Sequence, residues 1–114
     1  MTCVLLVDDD ILSLRALQAV FESRGFNVLL ARNGVDALAT AIRTLPDLVV
    51  TDWEMPLFDG VRLCERLRRI PGLGRIPVVL TSGKERPADG PQAWDVFLKK
   101  PLDFRLLEPI IRRF

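Results

Sequence analysis

Residues 4–10 read Val4-Leu5-Leu6-Val7-Asp8-Asp9-Asp10. Four apolar residues run without a polar interruption and then stop on three carboxylates. A strand that is apolar at every position is covered on both faces, which is the condition of a parallel sheet between two helical layers. Such sheets place their sites at the carboxyl ends of the strands. The acidic run therefore sits where chemistry is expected, and the question becomes what the other strands deliver to the same edge.

Downstream, short apolar runs alternate with stretches of helical period. Leu14, Leu17, Val20 and Phe21 share one face of a helix that stops at Gly25, a usual C-terminal punctuation. Phe26 to Leu30 reads as a second strand, and Asn33-Gly34 opens a helix carrying Leu38, Ala41, Ile42 and Leu45, closed before Pro46. Asp47 to Thr51 is the third strand and lands on Asp52. After a loop from Met55 to Gly60, Leu63, Cys64, Leu67 and Ile70 mark a third helix. Pro77 to Thr81 gives a fourth strand and Val96 to Leu98 a short fifth. A final helix runs from Asp103 with Leu106, Leu107, Ile110 and Ile111, kinked or delayed by Pro109. Alternating β and α elements with right-handed crossovers make this an α/β chain with a doubly wound, five-stranded parallel sheet.

The bulk numbers agree. A chain of 114 residues fits one domain spanning 1–114. Its 49% hydrophobic and 27% charged residues are ordinary for a globular protein. Sixteen basic against fifteen acidic residues leave a net charge of +1, which gives no general pull toward nucleic acid or anionic membrane. No apolar run approaches the ~18 residues of a membrane span, and the start lacks the charged region of a secretion signal. A cytoplasmic location is expected. Cys3 and Cys64 lie in apolar segments and read as buried free thiols. Histidine is absent, so any chemistry must use carboxylates, hydroxyls and lysine.

Four of the five strands deliver a polar group to one edge: Asp8 and Asp9 after the first, Asp52 after the third, Ser82 after the fourth and Lys100 after the fifth. Each alone has a dull reading as a helix cap, a turn residue or a surface lysine. Their convergence weighs against that. Two like charges ~4 Å apart cost about 4 kcal/mol at an effective dielectric near 20. A hard divalent cation relieves the repulsion, and Mg²⁺ suits carboxylates, waters and a phosphate oxygen. Asp52 can act as a nucleophile toward phosphorus, Lys100 can offset the charge of the transferring group, and Ser82 can donate to one of its oxygens.

These residues carry a family resemblance. Leu6-Val7-Asp8-Asp9, the loop Asp52-Trp53-Glu54-Met55-Pro56-Leu57-Phe58-Asp59-Gly60, Ile76 to Gly83, and Phe97-Leu98-Lys99-Lys100-Pro101 resemble the receiver domain of two-component response regulators across essentially the whole chain. The acidic pair alone is weak; the Asp-x-x-Met-Pro-x-x-Asp-Gly loop followed by Lys-Pro is specific. The resemblance implies a flavodoxin-like strand order, 2-1-3-4-5. It implies that Asp52 accepts phosphate from a histidine kinase, a phosphotransfer protein or a small donor such as acetyl phosphate, as a signalling switch within a phosphorelay and not as a turnover enzyme. Asp8, Asp9, Asp52 and the backbone carbonyl of Glu54 would hold Mg²⁺. Ser82 would close on the phosphoryl group, with Thr81 as its rival, and Phe97 would follow as the aromatic switch. Lys100 would pair with the phosphate ahead of a cis bond to Pro101. An output partner or domain is implied without being identified.

The chain departs from that pattern between Ser82 and Lys100, where it is about one helical turn short. Residues 84–94 carry two prolines, a glycine and few apolar side chains, so the fourth helix is expected to be truncated or replaced by a loop, with Trp94 capping the core. Arg62, Arg66, Arg68, Arg69 and Arg75 read by default as a solvated face, with an acidic partner as the minority reading and no nucleic-acid motif. The main rival function is a pseudo-receiver that only binds a partner. A flavin binder would want a Ser/Thr/Gly phosphate loop where Asp8-Asp9-Asp10 stands, and an aspartate-nucleophile phosphatase would carry its nucleophile after the first strand.

Overall fold

The computed structural model describes residues 2–85 and 92–113. Strands β1 (Cys3–Val7), β2 (Asn27–Ala31), β3 (Leu48–Asp52), β4 (Val78–Ser82) and β5 (Val96–Lys99) form one sheet in the order β2-β1-β3-β4-β5. Every neighbouring pair is parallel. The chain moves outward from β1 to β2 and then returns to the other side of β1, so the switch point lies between β1 and β3.

Alternation within each strand splits the core into two layers. Val4 and Leu6 pack with Leu48 and Val50 against helix α1 (Ile11–Ser23) through Leu14, Leu17 and Phe21. Leu5 and Val7 pack with Val49 on the opposite layer, against Leu63, Cys64 and Leu67 of helix α3 (Gly60–Arg68). This two-sided cover explains the unbroken apolar runs. Edge strand β2 is only partly buried. Among the described residues no helix is long and apolar enough to cross a membrane.

Helix α2 (Gly34–Thr44) is packed differently from its apolar pattern. Its buried residues are Gly34, Ala37 and Ala41, while Ile42 and, just past its end, Leu45 are 52% and 55% exposed. The small face wins because the helix lies close to its neighbours. A Cβ at Gly34 would stand 2.2 Å from the Phe58 ring and 2.5 Å from the Phe58 carbonyl oxygen.

Asp10 takes the dull role expected of one member of the acidic run: its carboxylate caps α1 by accepting from the Leu12 N–H at 3.0 Å. The truncation expected between β4 and β5 falls largely on residues 86–91, which lie outside the described residues; the flanks Lys84, Glu85 and Gln92 to Trp94 carry no helix. Trp94 is buried in the layer beneath α3. After β5 the chain makes a 3₁₀ turn, Phe104–Leu106, and then α4 (Glu108–Ile111), the fourth and last α-helix described and a short one. Pro109 sits in its first turn, where a missing N–H removes no helical hydrogen bond.

Arg68 does not belong to a solvated face. Its Nε donates to the Ala93 carbonyl at 2.8 Å, Nη1 donates to the Ile76 carbonyl at 2.5 Å, and Nη2 pairs with Asp95 at 2.8 Å. Asp95 in turn accepts from the Val78 N–H at 2.8 Å. One guanidinium thus ties the end of α3 to the entries of β4 and β5.

Candidate functional site

The switch point gathers the polar strand ends. β1 and β3 run side by side with Val7 opposite Thr51, and β3 and β4 pair with Asp52 opposite Thr81. Asp8 and Asp52, one residue beyond or at the strand ends, therefore project over the same edge. Both are buried, at 2% and 5% exposure, whereas Asp9 is exposed. Carboxylate oxygens of Asp8, Asp9 and Asp52 all lie within 4.8 Å of one another.

Lys100 bridges the two buried acids. Its Nζ lies 3.1 Å from Asp8 Oδ2 and 3.2 Å from Asp52 Oδ1. Asp8 is further held by the Asp10 N–H, which donates to Oδ1 at 2.9 Å. Asp52 is held less well. Its Oδ1 is buried and receives no directed hydrogen bond, so the lysine contact at 3.2 Å is ionic only. Burial first, and the Asp8 carboxylate second, push Asp52 up from 3.8 to about 6, with Lys100 pulling the other way. Burial works against the charge of Lys100 as well, but Asp52 and Asp8 outweigh it and hold the ammonium above its usual value.

An under-satisfied, destabilised carboxylate with two others nearby is a site short of positive charge. Oxygens spaced this way suit a small hard cation, whose ligands at 2.0–2.1 Å stand roughly 3–4 Å apart. The donor set fits Mg²⁺.

Ser82 is fully buried, and its hydroxyl donates to Glu54 Oε1 while accepting from the Lys84 N–H at 2.9 Å. Thr81 contacts the Thr51 carbonyl at 3.4 Å, within the sheet. Phe97 stands opposite Leu80 in the β4–β5 register and is half-buried against the layer beneath α3. Lys99 points outward to Glu85, while Lys100 turns to the carboxylates; the Lys100–Pro101 peptide is cis. The sequence reading gave Glu54 only a backbone role and missed its carboxylate. Burial pushes that carboxyl up, but the Ser82 hydroxyl and other donors outweigh it and hold it below its usual value. An acidic side chain two residues past the strand end was the available signal.

Comparison with known proteins gives a consistent result. The family model described as response regulator receiver domain matches residues 4–112. A probable transcriptional regulator, ycf29, of Porphyra purpurea is 34% identical over 96% of this chain and 54% of its own length. Response regulator PleD of Caulobacter vibrioides is 35% identical over 96% of this chain and 25% of its own. The chain thus spans about half, or less, of the length of these curated relatives. Among solved structures, the receiver domain of a sensor histidine kinase from Pseudomonas aeruginosa superposes with a TM-score of 0.87 at 24% identity, covering 98% of this chain and 95% of that one. That crystal holds a magnesium ion in its active-site cleft.

Proposed function

The chain belongs to the response regulator receiver family, and on that footing we propose that residues 1–114 act as a phosphorylation-dependent switch in which Asp52 accepts a phosphoryl group. Receiver domains serve signalling and are not turnover enzymes; they work with histidine kinases or phosphotransfer proteins and with output domains. Here a carboxylate oxygen of Asp52 attacks the phosphorus of a phosphohistidine or of acetyl phosphate. The bond from phosphorus to the donor's nitrogen or oxygen breaks, and its electron pair leaves with the donor.

The observation that carries this reading is the electrostatic state of Asp52: buried, with an oxygen that lacks a directed donor, and lifted to about 6 among two other carboxylates and one lysine. Asp8, Asp9, Asp52 and the Glu54 carbonyl would hold Mg²⁺, which supplies positive charge for the equatorial oxygens. Lys100 lies 3.2 Å from the acceptor carboxylate and can follow the phosphoryl oxygens as charge accumulates on them. Ser82 exchanges Glu54 for a phosphoryl oxygen, and the space it leaves admits Phe97. Phosphorylation adds about −1.5 to −2 charge and three acceptors, enough to bias a two-position element. A cytoplasmic setting suits this chemistry. One observation favours the pseudo-receiver reading, namely that the Ser82 hydroxyl is already committed to Glu54.

The test uses Mg²⁺ with acetyl phosphate or beryllofluoride on the wild type and on Asp52→Ala. A hydroxylamine-labile mass gain of one phosphate, absent in the variant, is expected. Neither phosphate uptake nor beryllofluoride binding by the wild type would leave a partner-binding module in its place.

A further inference from the structure

Helix α2 presents two apolar faces. Its inner face is Gly34, Ala37 and Ala41. On its flank Val35, Leu38 and Ile42 follow one another at i, i+3 and i+7, the a/d spacing of a helix–helix seam, and Leu45 caps the helix just beyond it in a left-handed conformation. Val35 is 62% exposed, Ile42 52% and Leu45 55%. An ordinary surface helix carries polar residues there; Leu38 packs against the core beneath α3, and Val35, Ile42 and Leu45 are left largely uncovered among the described residues.

Beside it, α3 and its first flanking residue carry Arg62, Arg66 and Arg69 at i, i+4 and i+7, all exposed. None of the three forms an ion pair among the described residues, and neither does neighbouring Glu65. Arg62 and Arg66 lie over the Phe58 ring at 5.5 and 6.0 Å. That cation–π contact holds both guanidinium groups near one ring, and with no ion pair among the described residues their charge is open to carboxylates.

The two stripes run side by side because the elements meet at both ends. Gly34 of the first turn of α2 abuts Phe58, and Leu45 past its last turn lies 3.9 Å from the Cβ position of Gly72, beyond α3. Apolar seam and arginine row are therefore adjacent.

We infer that this α2–α3 face docks an amphipathic partner helix with an apolar seam and carboxylates along its flank. Charge complementarity selects that occupant. A second copy of the chain would offer the same arginine-rich face and no excess of carboxylates. Nucleic acid would answer the arginines but not Val35, Ile42 and Leu45. The inference does not depend on the phosphoacceptor reading, and Asp52 takes no part in it.

The probe is a fluorescent peptide helix with leucine at a and d and glutamate at e and g, compared with a twin carrying lysine at e and g. Fluorescence anisotropy is read on wild type, Ile42→Asp and the double variant Arg62→Glu/Arg66→Glu, with circular dichroism and thermal melts confirming that each is folded. If Ile42→Asp unfolds, Ile42→Gln replaces it. The glutamate peptide should bind while its twin does not, and each variant should weaken binding by about tenfold or more. Raising salt from about 0.05 M to about 0.5 M should weaken the wild-type complex. Four results would overturn the inference: no binding up to about 100 μM, equal binding of both peptides, variants that bind like wild type, or a wild-type dimer in sedimentation that Ile42→Asp dissolves. Anionic vesicles binding through the same residues while the peptide is ignored would likewise replace it with a membrane surface.

Discussion

Replacing Asp52 with asparagine should stabilise the metal-free protein. A carboxyl lifted from 3.8 to about 6 is harder to ionise in the fold than in the unfolded chain by about 3 kcal/mol, at about 1.4 kcal/mol per tenfold. Asparagine keeps the shape and removes the charge, ending the repulsion from Asp8. It also gives up the attraction of Lys100, but that ammonium keeps Asp8 at 3.1 Å. A net gain of about 1–3 kcal/mol at neutral pH follows, or about 4–12 °C in Tm for a chain of this size. Urea unfolding of both proteins in EDTA measures it.

The pH dependence carries the sign. Between 3.8 and about 6 the folded wild type holds a proton that the unfolded chain has released. Wild-type metal-free stability contributed by this group therefore falls as pH rises through that window and is level above it. The asparagine variant lacks that slope, so the difference between the two curves opens across the same window. Mg²⁺ reverses the ranking at neutral pH, because ligand binding stabilises the wild type by mass action more than a variant missing one carboxylate. An asparagine variant less stable than wild type in EDTA, or a difference that does not grow between pH 4 and 6, would refute the electrostatic account of the site.

Three further outcomes are expected. Lys100→Met leaves Asp8 and Asp52 facing each other without a cation; it should lower metal-free stability by about 1–3 kcal/mol in urea titrations and abolish stable beryllofluoride binding, and retention of both would count against its assigned role. Glu54→Gln replaces a charged acceptor with a weaker neutral one for the Ser82 hydroxyl; phosphorylation by acetyl phosphate should then be a few-fold faster, and a slower rate would show that Glu54 assists the transfer. Arg68→Ala strands the Ala93 and Ile76 carbonyls and frees Asp95; it should cost about 2–3 kcal/mol. Arg68→Lys should not restore the loss, since one ammonium cannot reproduce the fork.

What the sequence made legible were features with a local cause. Strand ends are marked by an abrupt change from apolar to charged residues, so Asp8, Asp52, Ser82 and Lys100 could be assigned to one edge before any coordinates. Strand order came from the family resemblance and agrees with the structure. The inner face of α2 was not legible. Both Gly34-Ala37-Ala41 and Leu38-Ile42-Leu45 obey helical spacing, and the choice depends on how closely Phe58 approaches from a loop more than twenty residues away. Arg68 was hidden for a related reason. Its partners are carbonyls at positions 76 and 93, and carbonyls leave no trace in a sequence. The Ser82–Glu54 bond joins two strand exits, and only the β3–β4 register makes them neighbours.

The loop that leaves Asp52 is pinched at both ends by backbone. A Cβ at Gly60 would stand 2.1 Å from the Asp52 carbonyl oxygen, and one at Gly34 would strike Phe58. Between Asp52 and Gly60, Met55 is buried and Trp53 and Phe58 pack on the core, whereas Leu57 is 99% exposed and held at a φ of 68°, so position 57 owes its shape to the anchors on either side and nothing to packing of its own. In a saturation library, Gly34 and Gly60 should tolerate almost nothing, while position 57 should accept most residues and be improved by glycine or asparagine. Mutational tolerance around this site would then track the clearance between main chains and not the distance from Asp52.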